Sequence, residues 1–159
     1  MTEAYLPIEE YLPHRGRMVL LDRLLEAQAD RALAALTIQA DSLFCREGQV
    51  PAHVGVEYMA QTVGALVGWQ ARSAGEAVKT GFLVSARNYV CQVESFALGE
   101  TLFIEAKENW RDEEGLGVMD CAIYHPEPGE PGKPGAKEIA KATLMVFQPK
   151  NLDAYIATS

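Results

Sequence analysis

One long apolar stretch, Ala52 to Ala74, stands among shorter runs of strand character, and it limits the chain to few architectures. It is rich in small residues: Ala60, Gly64, Ala65, Gly68 and Ala71. Each glycine costs a helix roughly 1 kcal/mol relative to alanine. A helix accepts that cost where a neighbour packs closely, so a sheet wrapped around this helix is expected. The flanking runs agree. Met18–Gln28 and Ala32–Ala40 precede it, while Gly81–Val93, Thr101–Trp110, Leu116–His125 and Ile139–Gln148 follow. Their aromatic and β-branched content and the short spacers "ALGE" and "RDEEG" predict antiparallel strands joined by hairpins. The expected class is α+β, with one long central helix against a curved antiparallel sheet of about six strands. "PIEEYL" near the start and "NLDAYIA" near the end read as short helices. "HPEPGEPGKPGAKE", His125 to Glu138, reads as an exposed loop with little regular structure.

A chain of 159 residues, 48% hydrophobic, is long enough for one core, so residues 1–159 are expected to form a single domain. The net charge of −8 argues against nucleic acid as a partner, since phosphate binding needs a basic face. Cys45, Cys91 and Cys121 are an odd number without CxxC spacing, which suits free thiols in a reducing compartment. "MTEAYLPIEEYLPH" has no basic region followed by an apolar one, so no signal peptide is read there. The most apolar window contains Glu57 and Gln61 and is short for a membrane span. A cytoplasmic protein without a membrane partner is expected.

Within "VPAHVGVEYMAQ", a helix beginning near Ala52 places His53, Glu57 and Gln61 on one face, as a polar stripe on an apolar cylinder. A carboxylate in such surroundings is either tied to a partner or held for acid–base work. The helix start also offers free N–H groups and partial positive charge, able to polarise a carbonyl. His14 sits in a turn leading into the first strand, as a turn decoration or part of a pocket wall. Scattered histidines and cysteines show no metal-ligand spacing, and no nucleotide-binding or nucleophile motif is present, so neither metal nor cofactor is expected.

"LPHRGRMVLLDR" followed by "VPAHVGVEYMAQTVGA" and "GFLVSARNY" resembles the 3-hydroxyacyl-[acyl-carrier-protein] dehydratases of the hotdog fold. It resembles above all the branch associated with aryl-polyene-type pigment pathways. The likeness runs from about Leu6 to Phe147. It implies a helix wrapped by a curved sheet, a homodimer joined sheet edge to sheet edge, and an acyl carrier protein delivering the substrate. The implied reaction removes water from a 3-hydroxyacyl thioester to give the enoyl thioester. Glu57 matches the family's catalytic carboxylate and Gln61 its companion. Gly55, at the helix start, lies where a backbone amide would polarise the thioester, and His14 belongs to the first motif. One departure stands out. The main branch places its catalytic histidine fourteen residues before the carboxylate, where this chain has Leu43. The base is then expected to be His53, one turn before Glu57, or His14. Two further readings stay open: a hotdog acyl thioesterase, with Glu57 activating water, and a non-catalytic module binding acyl chains or a partner. Arg15, Arg17, Arg46, Lys79 and Arg87 are candidates for a local basic patch facing an acidic carrier.

Overall fold

A computed structural model describes residues 5–79 and 81–149. "NLDAYIA" lies outside the described residues. The strands are β1 (Arg23–Ala27), β2 (Arg31–Thr37), β3 (Gln49–Pro51), β4 (Phe82–Cys91), β5 (Ser95–Ala97), β6 (Thr101–Arg111), β7 (Leu116–Glu127) and β8 (Glu130–Phe147). Among the described residues the single helix of any length, α1 (Gly55–Ser73), interrupts them after β3. "PIEEYL" forms a 3-10 turn at Ile8–Glu10, and another follows at Gly16–Met18.

Six strands make one antiparallel sheet in the order β1-β2-β6-β7-β8-β4, and β3 pairs with β5 beside it. The two short strands were not foreseen, because three residues leave no readable alternation. Along β2, "RALAALT", five consecutive residues are buried. One face meets α1, and the other closes over Leu33, Ala35 and Phe103. The main core lies between α1 and the sheet, where Met59, Val63 and Leu66 meet Leu102, Ile104, Met119, Ile123 and Leu144.

Three expectations need correction. First, α1 begins at Gly55, because Ala52–Val54 form a 3-10 turn. Three residues per turn break the 3.6-residue register, so His53 and Glu57 do not share one helical face. Second, His53 and Glu57 are exposed in this chain, and only Gln61 of the three is buried. Third, the Pro/Gly segment is not a loop. β7 and β8 run through it and join at Pro128–Gly129, where Gly129 takes φ +82°. Register shifts around Tyr124, Pro126 and Glu127 place the prolines where the ladder is irregular, as proline's missing N–H requires.

The helix glycines do mark close packing, but against different neighbours than the sheet backbone. A Cβ on Gly68 would stand 1.9 Å from the carbonyl oxygen of Tyr11, and one on Gly64 would stand 3.1 Å from Leu12 Cδ2. The segment before β1 therefore lies directly on the helix.

Candidate active site

That segment is held by Gln61. Its Oε1 accepts from Leu20 N–H at 2.9 Å and its Nε2 donates to the Met18 carbonyl at 2.6 Å. The amide is thereby committed to the chain four and six residues beyond His14. Arg15 shapes the turn on the other side, donating from Nη1 to the carbonyls of Leu12 (2.7 Å), His14 (2.6 Å) and Glu9 (3.0 Å).

The result is a cavity of about 180 Å³ between α1 and the β4–β8 edge, with His14, Glu57 and Gln61 on its walls. Ala60, Leu83 and Val146 supply apolar lining, and Lys79 closes part of the rim. His14 is half-buried, and its Nδ1 is enclosed without a hydrogen-bond partner among the described residues. Glu57 stands in the first turn of α1, whose N-terminus has no side-chain cap. That end carries partial positive charge, which suits a carboxylate or a polarised carbonyl.

His53 is not on these walls. Gly55 is buried, and its N–H donates back to the carbonyls of Ala52 and His53. Of the five cations considered from sequence, Lys79 borders this cavity and Arg17 a separate, smaller one. Sequence reasoning missed Tyr89, whose hydroxyl donates to the Ala52 carbonyl at 2.5 Å. The available signal was Asn88, a residue tolerant of left-handed backbone, directly before an aromatic in a strand. A larger groove, about 410 Å³, lies over Glu105, Asp120 and Lys141. Two of its carboxylates are engaged locally: Glu105 by Arg31 at 2.6 Å, and Asp120 by Asn109 at 2.9 Å. Among the described residues no group of three or more His, Cys, Asp or Glu side chains could hold a metal.

The model of the ApeP-like family, described as ApeP dehydratase, matches residues 6–157. The chain belongs to the ApeP-like dehydratase family. This ApeP-like protein is similar to the 3-hydroxyacyl-[acyl-carrier-protein] dehydratase FabZ of Pseudothermotoga lettingae, with 29% identity over 151 residues. The match covers 91% of this chain and 95% of the relative. Among solved structures it is similar to the dehydratase heterocomplex ApeI:P from Xenorhabdus doucetiae. That match has a TM-score of 0.84 and 27% identity and covers 98% of both chains. Zebra fish thioesterase superfamily member 2 superposes with a TM-score of 0.61 at 12% identity, over 89% of this chain and 92% of its own. That likeness concerns the fold alone. The ApeP-like protein is thus a hotdog-fold dehydratase, with its long helix and six-stranded antiparallel sheet. Among the described residues no helix is long and apolar enough to cross a membrane.

Proposed function

We propose that this ApeP-like dehydratase removes water from a 3-hydroxyacyl thioester carried on an acyl carrier protein. The product is the trans-2-enoyl thioester, made in the cytoplasm during fatty-acyl or polyene-type chain synthesis. One observation carries the reading: His14 and Glu57, far apart in sequence, line one cavity that runs along α1 from its first turn. His14 replaces His53 as the base, because it lines the cavity with Glu57 and His53 does not. The imidazole takes the proton from C2, and the Glu57 carboxyl protonates the C3 hydroxyl as it leaves. The proton on His14 then returns to Glu57, so the pair resets without net change. The partial positive charge at the N-terminal end of α1 stabilises the enolate that develops on the thioester carbonyl. Lys79 at the rim supplies positive charge for the carrier's phosphate-bearing arm.

The site functions within a dimer whose sheets join edge to edge through β4. Val84 (56% exposed) and Val90 (49%) support this, as apolar residues on an edge strand otherwise open to solvent. A single domain spanning 1–159 provides one such edge. A homodimer is the simplest assembly. A second reading draws on the ApeI:P heterocomplex and on Leu43, which stands where the main branch has its histidine. In that reading an unlike hotdog subunit brings the base to Glu57.

The test incubates the protein with 3-hydroxyacyl carrier protein and follows the absorbance of the conjugated enoyl thioester. Glu57→Gln should lower kcat by about 100-fold or more, the usual scale for a general acid. A wild-type rate in that variant removes Glu57 from the mechanism. Release of free thiol without enoyl product would instead indicate a thioesterase.

A further inference from the structure

The edge strand β4 carries an irregularity that reaches the candidate site. Arg87 pairs with Thr143 and Val90 with Lys141, so Asn88 and Tyr89 together oppose Ala142. Asn88 is left-handed, with φ +56°. Such a bulge re-aims the side chain beside it. Along a strand that is mostly exposed, Tyr89 turns inward and packs against the main core. Its hydroxyl donates at 2.5 Å to the carbonyl of Ala52, the first residue of the 3-10 turn that feeds α1. A Cβ built on Gly55 would lie 2.3 Å from that same hydroxyl oxygen and 3.1 Å from Ile123 Cδ1. The phenol therefore fills the space that a side chain at the first residue of α1 would need.

We propose that Tyr89 is a positioning residue of the dehydratase site. Its hydroxyl fixes the Ala52–Val54 turn and Gly55, and through them the direction in which α1 presents its N-terminal end and the Glu57 carboxyl. The inference rests on the reaction proposed above. It also gives Gly55 a distinct reason to be glycine, namely admission of the phenol. Burial, and then the Cys91 side chain, raise the Tyr89 pKa, so the hydroxyl remains a donor at neutral pH. Small displacements matter here, since a misplacement near 1 Å can cost about 100-fold in rate.

The test compares wild type, Tyr89→Phe, Gly55→Ala and the double variant. Tyr89→Phe keeps the ring and removes the hydrogen bond. It should lower kcat about tenfold with little change in KM, and hydrogen exchange at the first α1 amides should accelerate. Gly55→Ala should lose more, because its methyl meets the hydroxyl. In the double variant the nearest ring carbon, Cζ, stands 3.3 Å from the new methyl, so kcat should recover above that of Gly55→Ala alone. Wild-type kcat and exchange in Tyr89→Phe, or a double variant no better than Gly55→Ala, overturn the proposal. If wild type gives no enoyl product, the reaction assigned above is wrong. The exchange comparison still decides whether Tyr89 fixes the turn.

Discussion

Glu57 and His14 illustrate how little an ionisable side chain's chemistry follows from its own neighbours in sequence. Glu57 sits in the first turn of α1, a helix start without a side-chain cap. His14 sits in an irregular turn, yet shares a cavity with it. The two candidate bases can be separated directly. His14→Ala should lower kcat for enoyl formation by about 100-fold. His53→Ala, at an exposed position off the cavity walls, should stay within about twofold of wild type. Stopped enoyl formation in the His53 variant, with His14→Ala unaffected, would reverse the assignment. A purified mixture with an unlike hotdog subunit that tolerates His14→Ala would instead favour a base from the partner.

At the scale of elements, α1 organises the site through what lies against it. Gln61 joins the helix to the Met18–Leu20 segment by two hydrogen bonds. Gln61→Leu would leave a partly buried N–H and a carbonyl unpaired, at a cost of about 1–3 kcal/mol. The urea midpoint should fall at unchanged slope, and kcat should fall with it as the His14 segment loosens. Unchanged stability would mean that the segment is held by its apolar contacts alone. Gly68 gives a second test, in which two effects oppose each other. Alanine there would gain the helix roughly 1 kcal/mol in propensity. Its methyl would meet the Tyr11 carbonyl oxygen at 1.9 Å, a backbone atom that cannot swing aside. Overpacking costs about 1–3 kcal/mol, and so hard a contact belongs at the upper end. Gly68→Ala should therefore lose about 2 kcal/mol, read from chemical denaturation, and a stabilised variant would show that the segment can lift off the helix.

For the whole molecule, the sheet ends at β1 on one side and β4 on the other, and β4 exposes Val84 and Val90. An uncovered apolar edge invites pairing with another strand. On the proposed β4 dimer, placing lysines at Val84 and Val90 should shift the protein from dimer to monomer in light scattering behind size exclusion, and should lower activity with it. A variant that stays dimeric would place the interface elsewhere. The net charge of −8 adds a constraint at this scale, because an acidic carrier approaches against the mean field. Docking then depends on local cations such as Lys79, and its KM should rise with salt.

The class of fold was legible in the chain because its signals are local. A small-residue helical stretch, strand-type runs and short turn spacers each act within a few residues, and their order left little besides a helix on an antiparallel sheet. The motif around Glu57 was legible for the same reason, as was its likeness to dehydratases over nearly the full length. Other features depend on contacts between distant segments, and only the tertiary structure decided them. The proline-rich stretch became strand because its partner strand offered irregular pairing at the prolines. The stripe of His53, Glu57 and Gln61 dissolved because Ala52–Val54 form a 3-10 turn ahead of α1, with the Tyr89 hydroxyl bonded to its first carbonyl. His14 comes to line the same cavity as Glu57 because Gln61 ties its segment to α1 at Met18, 43 residues away in sequence. Periodicity carries no record of such a contact, since it reports only which face of an element is apolar and not which remote segment is tied across it.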